Sequence, residues 1–255
     1  MTRPLIIGHR GASAAAPENT LAAFRAALAA RADGVELDVR LARDGVPVVI
    51  HDETLKRVSD VDAAVSGLTA RELARADVGS WFNAAFPALA DPAFANEAVP
   101  TLKQVLELLG GLSGPIYLEL KCGEEDFALL TDAVAGTIGQ SRLLSQIIVK
   151  SFHLPAIVRM RQRLPGVRTA ALFAPRIVTL LNKQRHIVEA AKAAGAESLS
   201  IHYSLATRKL VTLANEHSMP VTIWTADHVR WVEKGKKLGL AAIITNDPAR
   251  LINAA

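Results

Sequence analysis

Residues 6–57 have the sequence IIGHRGASAAAPENTLAAFRAALAARADGVELDVRLARDGVPVVIHDETLKR. It contains two histidines, an arginine beside the first of them, and two carboxylates two residues apart. Residues 5–9 and 34–38 are short β-rich runs, and the pattern between them is helical. A strand, a helix and a second strand in this order are typical of a parallel sheet.

The helix between these two runs has a recognisable start. Residues 17–20 are Pro-Glu-Asn-Thr, which predicts that Asn19 or Thr20 is the N-cap. Leu21, Phe24 and Leu28 then recur at the spacing of one helical face. We therefore expect this face to pack against the sheet.

The second strand continues into a turn signal, Asp44-Gly45, which is typical of a two-residue hairpin. Such a turn would place Asp38 directly opposite His51, with Cβ atoms about 5 Å apart. Only a few residues separate the two runs, whereas a parallel crossover needs about a dozen or more. We therefore predict an antiparallel hairpin over residues 36–51.

Helical patterns separate further strand-like runs along the rest of the chain. Together with the first two runs they make eight β-α units in 255 residues, the size of a (β/α)8 TIM barrel. We predict this α/β fold for residues 1–255 as a single domain. The six further runs are Ile116–Lys121, Gln146–Ser151, Arg168–Phe173, Ser198–His202, Val221–Thr225 and Ala241–Thr245.

Two stretches do not fit the β-α rhythm. We predict that residues 53–99 form a small insertion after the strand-two hairpin. Thr69 and Glu72 form a possible capping box within it, and a helix is expected over residues 101–109. Residues 174–184 contain the apolar residues Ile177, Val178, Leu180 and Leu181 and are interpreted as a lid or a subunit contact. Exposed aromatic residues in the insertion would favour a homodimer. These aromatic residues are Trp81, Phe82, Phe86 and Phe94.

Composition limits the classes of function. Half of the residues are apolar, and the net charge of +4 comes without a run of lysine or arginine, so we expect an anionic small-molecule partner and not nucleic acid. No apolar run approaches the ~18 residues of a transmembrane helix, and no basic, apolar leader precedes Leu5. The single cysteine, Cys122, excludes an intrachain disulfide. A cytoplasmic location is the expectation.

Ionisable side chains follow or end several predicted strands, where a barrel of this type has its active site. Glu36 and Asp38 are two residues apart on one strand and therefore point to the same side. Glu119 and Lys121 have the same relation on the third strand. His9 ends the first strand, and the hairpin would bring His51 to the same rim.

Three carboxylates on one inward face would repel each other, and a hard divalent cation would offset this repulsion. Oxygen ligands favour Mg²⁺ or Ca²⁺, with Mn²⁺ as a further candidate. Arg10 and Lys121 would add an anionic pocket, since arginine is suited to phosphate. His9 and His51 would act as general acid and base. This set of groups fits metal-assisted cleavage of a phosphodiester.

The same residues closely resemble the motifs of the glycerophosphodiester phosphodiesterase family. The matching motifs lie in order over essentially the whole chain, so the resemblance is specific. Two departures from the family pattern are Ala42 in place of threonine and Ala226-Asp227 after the Trp-Thr pair. The matching motifs are His9-Arg10-Gly11, residues 17–20, Glu36-Leu37-Asp38, Asp44-Gly45, His51-Asp52, residues 119–121, Ser151-Phe152, Trp224-Thr225 and residues 244–248.

The resemblance implies a TIM barrel that hydrolyses glycerophosphodiesters, such as glycerophosphocholine or glycerophosphoethanolamine, to sn-glycerol 3-phosphate and an alcohol. It also implies roles for nine of the matching residues. A lysophospholipase D, with an acyl chain held by residues 177–181 and the insertion, remains an alternative, and a non-catalytic phosphodiester-binding barrel is a third. The implied roles are one divalent cation at Glu36, Asp38 and Glu119, acid-base chemistry at His9 and His51, phosphate contacts at Arg10 and Lys121, and a pocket wall at Phe152 and Trp224.

Overall fold

A closed barrel of parallel strands forms the centre of the molecule. The computed structural model describes residues 3–175 and 184–254. Strand β1 pairs with both the last strand and the second strand, so the sheet closes on itself. This confirms the predicted (β/α)8 barrel. Its strands are β1 (Leu5–Gly8), β2 (Gly34–Leu41), β4 (Ile116–Leu120), β5 (Ile147–Ser151), β6 (Arg168–Phe173), β7 (Ser198–His202), β8 (Val221–Trp224) and β9 (Ala242–Thr245), with β3 described below.

Helices surround the barrel and pack against the outward-facing side chains of the strands. On β4, Ile116, Leu118 and Leu120 belong to a core shared with the helices, whereas Tyr117 lies in the separate core of the barrel interior. Glu119 alternates with the outward residues and therefore faces inward. The surrounding helices are α1 (Leu21–Ala29), α4 (Leu102–Leu108), α5 (Phe127–Gly139), α6 (Leu154–Arg163), α7 (Gln184–Ala193), α8 (Arg208–Glu216), α9 (Arg230–Leu238) and α10 (Pro248–Ile252), with α2 and α3 described below.

The start of α1 selects between the two predicted caps. The hydroxyl of Thr20 accepts a hydrogen bond from the backbone N–H of Ala23, so Thr20 is the N-cap. Asn19 instead has a left-handed backbone with φ of 58° and is buried. Its side chain does not cap α1 and is available for contacts at the mouth of the barrel.

The predicted hairpin is present, but its predicted register is wrong. Strand β3 (Pro47–Val49) pairs antiparallel with β2, and Val39 lies opposite Val49. Ala42 and Val46 close a three-residue loop in which Gly45 has φ of 78°. This loop ends in a left-handed residue and shifts the pairing by one position. Asp38 therefore accepts a backbone hydrogen bond from Ile50 and is not paired with His51.

The stretch between the hairpin and α4 packs as a small unit on the hairpin. Leu55, Val65 and Leu73 form a buried cluster with Val48 and Ile50 of the hairpin. The predicted capping box is present at Thr69 and Glu72. The helices of this stretch are α2 (Ala70–Leu73) and α3 (Ser80–Ala85), with 3-10 turns at Val65–Gly67, Pro87–Leu89 and Pro92–Asn96; further 3-10 turns are Leu109–Gly111, Leu144–Gln146 and Tyr203–Leu205.

The aromatic residues of the insertion pack mainly against each other. Phe82 is fully buried, and its ring centroid lies 4.8 Å from that of Phe86 and 5.6 Å from that of Phe94. Trp81 contacts Phe82 edge-on. Phe82 therefore belongs to the insertion's own core. The lid or subunit contact predicted for residues 174–184 falls mostly on residues 176–183, which lie outside the described residues.

Replacement of Phe82 by alanine is expected to lower the free energy of unfolding by ~3–5 kcal/mol, because it leaves a cavity among aromatic rings. The matched control is Phe86→Ala at the C-cap of the same helix, where the side chain is 46% exposed and the expected cost is about 1 kcal/mol. Urea unfolding of both variants measures the difference. Equal losses in the two variants would show that Phe82 does not anchor the insertion.

Candidate active site

A tight turn after β1 brings His9 and Arg10 to the C-terminal rim of the barrel. The backbone N–H of His9 donates to the carbonyl of Thr245, 2.7 Å away, and so extends the pairing with β9. Arg10 and Gly11 then have φ of 54° and 82°. A Cβ at Gly11 would lie 2.5 Å from the backbone of Ala23, so this turn requires glycine.

Three carboxylates from two neighbouring strands meet in the barrel mouth. In the register of β2 and β4, Asp38 lies opposite Glu119, and Glu36 lies one inward position before Asp38. All three are buried, and each offers an oxygen within 4.8 Å of the others. The structure thus brings together the three residues that the sequence nominates as metal ligands. We call them the carboxylate triad.

Both cations that were predicted from the sequence, Arg10 and Lys121, contact this triad. The Nε of Arg10 lies 3.1 Å from Oδ2 of Asp38. The Nζ of Lys121 lies 2.9 Å from Oε1 of Glu119 and 3.8 Å from Oδ1 of Asp38. Both cations are partly exposed, so they lie between the triad and the open mouth of the barrel.

A third cation at the triad was missed by sequence reasoning. Lys150 on β5 is buried, and its Nζ lies 2.8 Å from Oε1 of Glu36 and 3.5 Å from Oε2 of Glu119. A lysine inside the apolar run Ile147–Ser151 was the available signal, because a buried charge needs a partner.

Asn19 also belongs to the mouth of the barrel, although the sequence suggested only a cap. Its Nδ2 donates to Oδ2 of Asp38 at 2.9 Å, and its Oδ1 accepts from the backbone N–H of Asp38 at 3.3 Å. The left-handed turn before α1 thereby fixes the Asp38 carboxylate in a defined orientation.

Charge at the triad is balanced by these contacts. Burial alone would raise the pKa of Asp38, but Arg10, Lys121 and both histidines hold that pKa well below its usual range. Burial alone would lower the pKa of Lys150, but Glu36 and Glu119 raise it above its ordinary value. Asp38 is therefore ionised and Lys150 is protonated at neutral pH. His51 directly follows Ile50, whose backbone N–H donates to the carbonyl of Asp38.

His9 is held through Nδ1 by a chain of polar groups. Nδ1 lies 2.6 Å from Oδ1 of Asn246, and Nδ2 of Asn246 donates to Oδ2 of Asp227 at 2.9 Å. Asp227 also accepts from the backbone N–H of Asn246 at 2.8 Å. Because the Asn246 amide presents its oxygen, Nδ1 of His9 carries the proton. Nε2 of His9 therefore faces the site, 3.9 Å from Oε2 of Glu36.

His51 is held in a corresponding way by a carboxylate. Its Nδ1 lies 2.6 Å from Oδ1 of Asp52, and Asp52 is paired in turn with Arg57. Arg57 donates to Glu18, which also accepts from Arg10 at 2.7 Å. Burial would raise the pKa of Asp52, but hydrogen bonds from His51 and Arg57 lower it. Asp52 thus remains charged beside His51.

Two aromatic side chains form one wall at the rim. Phe152 follows β5 and Trp224 ends β8, and their rings meet edge to face with centroids 5.6 Å apart. A groove of about 870 Å³ passes Phe152, Glu119 and Lys121. A space large enough for a small organic substrate therefore borders Glu119, one member of the triad.

The sequence model of the glycerophosphoryl diester phosphodiesterase family matches residues 9–250. The chain belongs to this family. A glycerophosphodiester phosphodiesterase from Caldanaerobacter subterraneus is 32% identical over 98% of this chain and 97% of its own length. One from Bacillus subtilis is 27% identical over 96% of this chain and 84% of its own. Family membership makes this chain a phosphodiester hydrolase.

Solved structures agree with this assignment. A phosphodiesterase from Oleispira antarctica, solved with the product sn-glycerol-3-phosphate, superposes with a TM-score of 0.86 and 26% identity. The match covers 99% of this chain and 96% of that one. Among residues 3–175 and 184–254, no helix combines the length and apolar character needed to span a membrane.

Replacement of Asp52 by asparagine is expected to lower kcat for glycerophosphodiester hydrolysis about 10- to 100-fold, because the His51 ring loses the charged partner that orients it. The matched control is Asp62→Asn, which makes the same change at an exposed carboxylate paired with Lys56. Steady-state kinetics and thermal unfolding of both variants are the measurements. Unchanged kcat in Asp52→Asn would contradict a role for Asp52 in orienting His51.

Proposed function

We propose that this protein hydrolyses glycerophosphodiesters, such as glycerophosphocholine and glycerophosphoethanolamine, to sn-glycerol 3-phosphate and an alcohol in a metal-dependent reaction. One observation carries the proposal: a buried triad of carboxylates lies beside two histidines, each held through Nδ1 by a separate partner. The product bound in the Oleispira antarctica phosphodiesterase supports the same substrate class. We further propose that residues 1–255 act as one catalytic domain.

The chemistry of the triad fits a hard divalent cation. Its ligand atoms are carboxylate oxygens without nitrogen or sulfur, which favours Mg²⁺, Ca²⁺ or Mn²⁺ over zinc. Glu36, Asp38 and Glu119 would hold the ion. When bound, it supplies positive charge to the phosphate oxygens as negative charge develops on them.

Arg10 and Lys121 are proposed to orient the phosphate. Both side chains lie at the triad and are partly open to the mouth. Oε1 of Glu18 lies 2.7 Å from Nη1 of Arg10, which fixes the plane of the guanidinium before substrate binds. Phe152 and Trp224 would enclose the non-reacting part of the diester and exclude water from that side.

The two histidines are proposed to divide the proton transfers according to their partners. Nδ1 of His9 faces a neutral amide, so the neutral ring presents a lone pair at Nε2 and suits a general base. His51 faces the charged Asp52, which stabilises the protonated ring and suits a general acid. His9 would thus deprotonate the nucleophile while His51 protonates the leaving alkoxide. The nucleophile is either water or the substrate's own glycerol hydroxyl, which would give a cyclic phosphate first.

Removal of divalent metal is expected to abolish release of glycerol 3-phosphate from glycerophosphocholine, and addition of Mg²⁺, Ca²⁺ or Mn²⁺ is expected to restore it. The physical reason is that the phosphate loses the charge that stabilises its transition state. A coupled assay after EDTA treatment and dialysis measures both steps. Full turnover without metal would refute the metal-dependent reaction.

A parallel assay with lysophosphatidylcholine separates the alternative activity. Turnover of lysophosphatidylcholine with no turnover of glycerophosphocholine would replace the proposal by a lysophospholipase D. Tight binding of glycerophosphocholine without product would identify a non-catalytic barrel.

Replacement of His51 by alanine is expected to lower kcat/KM for glycerophosphocholine about 10²- to 10⁴-fold and to spare most turnover of a glycerol 3-phosphodiester of p-nitrophenol. The p-nitrophenolate leaving group needs no proton, so a missing acid costs little. His9→Ala should lose activity on both substrates, because both need the base. The reverse pattern would exchange the two roles, and wild-type rates in either variant would remove that histidine from the mechanism.

A further inference from the structure

Lys150 is a buried charged residue to which the proposed reaction assigns no step. It lies on β5 directly opposite Glu119 on β4, which itself lies opposite Asp38 on β2. Neighbouring residues in this register point to the same side of the sheet, so Lys150 belongs to the same inward layer as two members of the triad. Its side chain is only 2% exposed.

The contacts of Lys150 complement those of the other cations. On Glu36, Oε2 accepts from the backbone N–H of Arg10 at 3.0 Å, whereas Lys150 lies 2.8 Å from Oε1. On Glu119, Oε1 accepts from Lys121 at 2.9 Å, whereas Lys150 lies 3.5 Å from Oε2. Lys150 therefore occupies the carboxylate oxygens that the backbone of Arg10 and the side chain of Lys121 leave, and it links two ligands from different strands.

Burial separates Lys150 from Arg10 and Lys121. The latter two side chains are 17% and 15% exposed and can reach a substrate at the mouth. Lys150 lies below them and cannot turn away into water, so its charge stays at the triad whatever binds above. A fixed charge at this distance stabilises three neighbouring carboxylates and opposes a further cation among them.

We propose that Lys150 is a positioning residue that acts as a built-in counter-charge: it holds Glu36 and Glu119 in place in the metal-free protein and weakens the binding of the divalent cation. The inference rests on the metal site of the proposed function. It implies that the positive charge of Lys150 repels the divalent cation at the triad. Removal of this charge should therefore increase the affinity for the metal and lower the stability of the metal-free protein.

The test compares Lys150→Met with the wild type by titration of Mg²⁺ and of Mn²⁺ into metal-free protein in a calorimeter. The expected result is a Kd lower by at least about tenfold in the variant. The Tm of the metal-free variant should fall, and saturating metal should raise its Tm by more than it raises that of the wild type. A packing role alone would lower the Tm equally with and without metal.

Three further variants make the result specific. Lys103→Met removes a lysine that is 78% exposed on α4 and should leave the Kd unchanged. Lys150→Gln keeps a polar side chain without the charge and should behave like Lys150→Met, which guards against misfolding of the methionine variant. Asp38→Asn, alone and combined with Lys150→Met, should remove the binding heat and so locate the metal at the triad.

Each outcome bears on the inference. Tighter binding in both Lys150 variants supports it, as does binding that becomes measurable only when Lys150 is replaced. Binding that Asp38→Asn removes, with an equal or higher Kd in the Lys150 variants, overturns the inference and leaves the metal site standing. Absence of binding in every protein overturns the metal site and the inference together, while turnover of glycerophosphocholine is judged separately by the coupled assay.

Discussion

The electrostatic balance in the barrel mouth is the constraint on which the site depends. Three carboxylates buried this close would destabilise the fold if their charges were not compensated. The cations that compensate them come from the loop after β1, the end of β4 and the interior of β5. Because these segments are distant in sequence, the charges can meet only when β1, β2, β4 and β5 lie side by side in the sheet. The acidic cluster therefore depends on the correct pairing of these four strands.

Above the carboxylate triad, two chains of hydrogen bonds between loop side chains orient the two histidines. One chain of hydrogen bonds passes from Asp227 through Asn246 to His9. The other passes from Glu18 through Arg57 and Asp52 to His51. Both end on Nδ1 and so present Nε2 to the site, although they use different loops.

The barrel and the triad could be predicted because both follow from short-range patterns. Alternating runs of strand and helix predicted the eight parallel strands, and the spacing of Glu36 and Asp38 placed both side chains on one face. The hairpin was predicted for the right reason but in the wrong register. Asp44-Gly45 suits a two-residue turn, yet a three-residue loop ending in left-handed Gly45 uses the same dipeptide. The sequence alone does not distinguish these loops.

Lys150, Asn19 and Asn246 were missed because their partners lie on other segments, and cross-strand register decides which residues meet. The rules for helix capping predicted Asn19 as a possible N-cap, although its side-chain amide donates a hydrogen bond to Asp38 on β2. For Lys150 a usable signal existed. A buried charge of either sign inside an apolar strand needs a partner, so Lys150 on β5 carries the same signal as Glu119 on β4. With β4 and β5 aligned, this rule predicts that Glu119 and Lys150 are neighbours.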